Sequence, residues 1–153
     1  MPRQVRLKPV VLPTQASGAY LLDEQVGFLM RVAMQRHTAI FTATMIEGLT
    51  QTQFAALAKL LEVGPCSQNH LGRLIYLDAA TIKGVVDRLQ LRRFVTTQSD
   101  PRDRRRRAIA LTENGREIAE RAVAVASRIT ADTLAPLTAE ERREIARLLR
   151  KLA

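Results

Sequence analysis

Apolar residues recur along the chain at two different periods. Between residues 21 and 46, Leu22, Val26, Leu29, Met30, Ala33, His37, Ile40, Phe41 and Met45 return every three or four positions. That spacing lines one face of a helix, and Gly48 marks its end. Thr50 stands as the N-cap of a second helix, from Gln51 to Leu61 or Glu62, with Phe54, Leu57, Leu60 and Leu61 on its apolar face. Gly64-Pro65 closes it. Ser67 then caps a short helix from Gln68 to about Ile75, with Leu71, Leu74 and Ile75 inward. Asp78 caps another, Ala79 to about Arg92, with Ile82, Val85, Val86 and Leu89 inward.

The period then falls to two. Phe94 to Gln98 is rich in β-formers, and Arg107-Ala108-Ile109-Ala110-Leu111 alternates polar with apolar. Asp100-Pro101-Arg102-Asp103 between them reads as a turn, with Pro101 at a tip where no ladder donor is lost. Thr112 caps a long helix to about Leu134, whose buried stripe is Ile118, Ala122, Val125 and Ile129. Beyond Pro136, Thr138 opens a last helix with capping-box spacing to Glu141. Its apolar face is Ile145, Leu148, Leu149 and Leu152.

Two short capped helices followed by a hairpin define a mostly α fold, a winged helix-turn-helix with a small β-hairpin wing. The expected lobe is 49–111. The helices of 19–48 and 112–153 have no loops long enough to form a separate domain, so the whole reads as one interwoven domain. Their apolar faces need cover, which a second copy supplies, predicting an intertwined two-fold homodimer. Residues 1–18, with Pro2, Pro9, Pro13 and Gly18 and no periodicity, read as a flexible basic arm.

Composition narrows the function. No apolar run reaches the length of a membrane span, and the N-terminal stretch is too short and broken for a secretory signal. The single cysteine, Cys66, cannot close an intramolecular disulfide, so a cytoplasmic protein is expected. Cys66 lies in a turn before a helix. That position favours a thiolate, although an inert turn residue is the plainer reading. Two histidines and one cysteine offer no metal-ligand spacing. Glycine-rich phosphate loops and a Gly-x-Ser-x-Gly elbow are absent from the sequence. An enzyme is not expected, nor is a cofactor.

The net charge of +9 directs attention to a polyanion. Eight arginines fall within residues 88–107 against two acids, Asp100 and Asp103. Aromatic residues are 4% with no tryptophan, too few for the stacking platforms of RNA readers. Double-stranded DNA is the expected partner, with a nonspecific basic nucleic-acid-binding protein as the alternative. The helix from Ala79 suits a major groove, presenting Thr81, Lys83 and, further along, Arg88. Gly84 inside it reads either as close approach to DNA or as close packing against another helix. Ser67, Gln68 and Asn69 open the preceding helix, where backbone amides suit a phosphate, and Arg73 follows one turn later. Arg102, Arg104 and Arg106 at the hairpin tip suit a minor groove. Asp103 is expected to pair with Arg105 and stiffen the wing. A dimer of such units would read a palindromic operator with half-sites one DNA turn apart.

These residues also carry a resemblance. Leu49-Thr50-Gln51-Thr52-Gln53-Phe54, Leu71-Gly72-Arg73-Leu74, Val85-Val86-Asp87-Arg88-Leu89, Asp100-Pro101-Arg102-Asp103-Arg104-Arg105 and Leu111-Thr112-Glu113-Asn114-Gly115 together resemble the MarR family of regulators. The resemblance implies a helical dimer layer, a winged-helix lobe, and DNA binding controlled by a small ligand. Two positions depart from it. Arg93 stands where the family usually has a glycine of positive φ, and Lys83-Gly84 replaces a Thr-Arg or Ser-Arg pair, so base contacts do not carry over. Leu21 to Arg31 and Gln35-Arg36-His37 are similar to a subgroup that governs breakdown of aromatic acids. That similarity implies an effector, an aromatic acid or its CoA thioester, in a pocket lined by the first, second and fifth helices. Phe28, Phe41 and Phe54 are candidates for the ring. Arg31, Arg36 and His37 are candidates for a carboxylate or phosphate. Each also reads as ordinary core or as surface pairing.

Overall fold

The computed structural model describes residues 20–153; the predicted N-terminal arm lies outside them. Among the described residues the α-helices are α1 (Val26–Thr44), α2 (Gln51–Val63), α3 (Gln68–Leu74), α4 (Ala79–Leu91), α5 (Glu113–Thr133) and α6 (Ala139–Leu152). One antiparallel hairpin joins β1 (Val95–Ser99) to β2 (Arg107–Leu111) between α4 and α5, in the register Val95 opposite Leu111 and Ser99 opposite Arg107.

The predicted helix over 21–46 is corrected to three pieces. A 3₁₀ turn, Leu22–Glu24, precedes α1, and another, Ile46–Gly48, follows it. Gln25 breaks the first junction with extended backbone (ψ 131°), and its side-chain amide donates back to the Leu21 carbonyl at 2.9 Å. Met45 breaks the second (ψ 140°), after which Glu47 and Gly48 take left-handed φ of 57° and 58°. Apolar spacing runs through both breaks because a 3₁₀ turn keeps nearly the same face.

The caps sit where the polar residues predict. Thr50, Ser67, Asp78, Thr112 and Thr138 each accept from the backbone N–H three residues on. At Thr50 and Thr138 the glutamine or glutamate at the third position reaches back, completing a capping box.

Leu57, Leu60, Leu71, Ile82, Val86 and Leu89 form the centre of the core, with Ala119 and Ala122 of α5 closing one side. The core therefore sits under α4 and the hairpin, holding both against α2 and α5. Gly72 is buried where a Cβ would lie 3.1 Å from Ile82 and from the Leu77 carbonyl, so α3 and α4 pack nearly backbone to side chain. The terminal helices differ. On α1, Val26 is 60% and Met34 55% exposed; on α6, Leu149 is 49% and Leu152 69% exposed. Each helix thus carries an apolar stripe that its own chain leaves uncovered.

Candidate nucleic-acid interface and effector hollow

Three basic elements converge on one side of the core. Thr81, Lys83 and Arg88 are exposed along α4, as are Asn69 and Arg73 of α3; Ser67 and Gln68 are half-buried at the α3 start. Asp78 holds the start of α4, its carboxylate accepting from the Thr81 N–H at 2.7 Å. That hydrogen bond is the main reason its pKa lies below the ordinary carboxylate range. Lys83 reaches Asp87 one turn on, at 2.7 Å. A Cβ on Gly84 would meet only the Arg88 guanidinium, at an ordinary 3.6 Å. Packing against another helix of the same chain therefore does not explain that glycine.

The wing is braced at its tip and at its base. Asp100 accepts from the Arg102 N–H at 2.8 Å, and Asp103 from the Arg105 N–H at 3.0 Å. The expected Asp103–Arg105 side-chain pair is corrected: the guanidinium near Asp103 belongs to Arg106, at 3.6 Å, and Arg105 engages through its backbone alone. The tight turn explains the exchange, because an acceptor serving the amide two residues on faces the side chain three residues on. Arg102 and Arg104 remain exposed. At the base, Gln90 of α4 donates to the Thr97 hydroxyl of β1 at 2.7 Å.

Cys66 follows the plainer of its two readings. It is buried, and its backbone exchanges both hydrogen bonds with Ile109, adding a bridge beside the hairpin. Burial pushes its thiol up, against the pull of the Arg102 charge. The thiolate expected from its position before a helix is thus disfavoured.

Between α1 and α2 lies a hollow of ≈ 320 Å³, lined by Thr38, Phe41, Thr42, Met45, Leu49, Thr50 and Gln51, with Gly48 at its edge. Of the six candidates for a ligand, only Phe41 lines it. Phe54 stands behind Phe41 with ring centroids 6.0 Å apart, and His37 lies on the other side at 6.3 Å. Helix α5 does not line this hollow. His37 Nδ1 lies 2.9 Å from the Thr133 hydroxyl, and Arg36 donates to the Asp132 carbonyl at 3.0 Å, so those side chains tie α1 to the end of α5 instead. Arg31 lies over the Phe28 ring at 5.2 Å and lines an adjoining groove of ≈ 700 Å³ with Met34, Gln35, Thr38 and Thr42. Phe28 is about 20 Å along the α1 axis from Phe41. The threonines escaped the sequence reading, although Thr38 and Thr42 stand one turn apart beside Phe41.

Arg93 has φ 58°, so the position keeps the left-handed turn that glycine ordinarily fills. Tyr76, unremarked in the sequence, also has positive φ (59°) and stands 86% exposed in the turn between α3 and α4.

A helix pair with an arginine-bearing hairpin beside it defines a winged-helix DNA-binding protein. Residues 47–106 match the family model described as MarR family. The chain is 42% identical over 134 residues to the HTH-type transcriptional repressor NicR of Pseudomonas putida, covering 87% of this chain and 85% of that one. A probable transcriptional regulator from Pseudomonas aeruginosa has a crystal structure that superposes with TM-score 0.83 at 47% identity, covering 87% of this chain and all of that one. BpsR of Bordetella bronchiseptica, whose DNA binding is regulated by 6-hydroxynicotinic acid, superposes with TM-score 0.82 at 41% identity, over 88% of this chain and 97% of that one. The chain belongs to the MarR family of DNA-binding transcriptional regulators. These relatives are regulators of transcription rather than enzymes. Among the described residues no helix is long and apolar enough to cross a membrane.

Proposed function

We propose that this protein is a cytoplasmic repressor that binds a palindromic operator as an intertwined homodimer and leaves it when a single-ring aromatic acid enters the hollow beside Phe41. The observation that carries the DNA reading is the shared exposure of Thr81, Lys83 and Arg88 on α4 beside Arg102 and Arg104 on the wing. In this reading α4 enters the major groove. Ser67, Gln68, Asn69 and Arg73 meet phosphates, and the wing follows the adjoining minor groove. The uncovered stripes of α1 and α6 close against a second copy, which makes the chain one interwoven domain.

A single substituted aromatic ring matches a hollow of ≈ 320 Å³. Phe41 offers its face to the ring and the three threonine hydroxyls offer donors to a carboxylate. The regulation of BpsR by 6-hydroxynicotinic acid supports the same ligand class. Binding energy acts as a switch only if the acid prefers a dimer whose reading helices fit the operator less well.

Selecting duplexes from a random pool and titrating the winning sequence by fluorescence anisotropy tests the proposal. The expected site is an inverted repeat with half-sites about 34 Å apart, bound roughly 1,000-fold better than a scrambled duplex. Adding 6-hydroxynicotinic acid should weaken binding at least ~10-fold, equivalent to about 1.4 kcal/mol of coupling. Equal affinity for every duplex would leave only the nonspecific binder. An operator complex indifferent to the acid would remove the effector reading alone.

Gly84→Ala separates stability from recognition. The added methyl meets no crowding in the chain, and alanine favours a helix interior by about 1 kcal/mol. The variant should melt higher yet bind its operator more weakly, if the bare backbone serves close approach to DNA. Unchanged operator affinity would show that the glycine has no part in recognition.

A further inference from the structure

We infer that Arg92 is a positioning residue that carries the state of the effector hollow to the DNA-reading helix; the inference rests on the effector reading given above. Arg92 is the C-cap of α4, its N–H donating to the Arg88 carbonyl at 3.2 Å. Its side chain leaves the helix it terminates. One guanidinium nitrogen donates to the Glu47 backbone carbonyl at 2.6 Å and lies 3.7 Å from the Glu47 carboxylate. The guanidinium carbon stands 4.5 Å over the Phe94 ring, and Phe94 is itself 6% exposed, a fixed platform in the core.

The far end of this strut belongs to the hollow. Glu47 lies between Met45 and Gly48, which both line it, and in the turn that joins α1 to α2. Glu47 and Gly48 hold left-handed backbone, φ 57° and 58°. For a residue with a side chain, that conformation persists only where its surroundings enforce it. A carboxyl-bearing ring wedged against Met45 and Gly48 displaces the turn, and the Glu47 carbonyl moves with it. The hydrogen bond to that carbonyl is short and made by a charged donor, so it resists stretching. The Phe94 ring keeps the guanidinium plane from swinging aside. The displacement therefore reaches the last turn of α4, 45 residues away in sequence.

The planar, forked guanidinium is essential to this role. A lysine at position 92 could approach the carbonyl, but it could not also lie flat on Phe94. Neither Arg92 nor Glu47 lines the hollow, and although Arg92 follows Arg88 by one turn, its half-buried guanidinium is held at Glu47 and Phe94. Substitution there should spare both binding events and strike the link between them.

The test compares wild type, Arg92→Met and Arg92→Lys in three measurements. These are calorimetric affinity for 6-hydroxynicotinic acid, operator affinity without the acid, and operator affinity with the acid at saturation. Arg92→Met should bind acid and operator each within about 3-fold of wild type, while the acid weakens its operator complex less than 2-fold. Arg92→Lys should retain an intermediate response, and it carries the test if the methionine variant fails to fold. A methionine variant that the acid releases as fully as wild type overturns the inference and leaves the effector reading standing. A wild type that binds the operator but takes up no acid overturns both. A merely structural Arg92 would lower both affinities together, which also overturns it.

Discussion

Gly115→Ala should cost this protein at least ~3 kcal/mol of stability, near the upper end for overpacking by one carbon. A Cβ at that position would overlap the Phe94 carbonyl oxygen outright, with the Phe94 carbonyl carbon 2.6 Å away. Both neighbours are backbone, so no rotamer change relieves the clash. The junction is also held from other directions. The Thr112 N–H donates to the Phe94 carbonyl at 3.1 Å, its hydroxyl donates to the Arg93 carbonyl at 2.7 Å, and that hydroxyl accepts from the Gly115 N–H at 2.9 Å. Moving α5 away would break the two bonds to Arg93 and Phe94 and lift Ile118 and Ala119 off the core. A loss of this size lowers the melting temperature by roughly 6–12 °C for a chain of this length. Differential scanning calorimetry checks it. A variant melting within a degree or two of wild type would mean that the α5–Phe94 contact yields freely.

Replacing Arg102 and Arg104 together by alanine should flatten the salt dependence of operator binding by about two units of slope, since each lost phosphate contact removes about 0.9. Affinity at low salt should fall on the order of 100-fold. The two side chains are exposed, yet their turn is fixed from within by the Asp100 and Asp103 carboxylates. The substitution therefore removes charge without unfolding the ribbon. Replacing Arg150 and Lys151 on α6 takes away the same net charge far from the wing and should leave the slope unchanged. Anisotropy titrations across a salt series distinguish the two pairs. Equal slopes for both would mean that the wing merely adds to a general positive field.

Most of the architecture was legible because it depends on local chemistry. Thr50, Ser67, Asp78, Thr112 and Thr138 announce helix starts through the hydrogen bonds that their own side chains make. The hairpin announces itself by alternation around an Asp-Pro turn. The breaks at Gln25 and Met45 were hidden because neither residue is a strong helix breaker, and the apolar face persists through the 3₁₀ turns beside them. The arginine partner of Asp103 was misread by one residue, since an i to i+2 amide contact and an i to i+3 ion pair are decided by turn geometry that composition does not encode.

The candidate site divides in the same way. Exposed residues of α3, α4 and the wing follow from helix periodicity and hairpin position. The hollow does not, because it forms where α1 and α2 are brought together by a left-handed turn at Glu47 and Gly48. His37 and Arg36 were grouped with Phe41 by chemical type, whereas their partners are groups at the far end of α5, nearly a hundred residues away. Such long-range pairings are set by how helices cross, which no local window of sequence contains.

The backbone exchange between Cys66 and Ile109 welds the turn ahead of α3 to the second strand of the hairpin. With α4 joined to β1 through Gln90 and Thr97, the elements proposed to face DNA are tied into one block. In the proposed dimer, sequence preference would then belong to the block, and the distance between two blocks to the helices that carry them. Lengthening α5 by one turn, about 5.4 Å, should therefore alter the spacer of the proposed operator while leaving its half-sites unchanged.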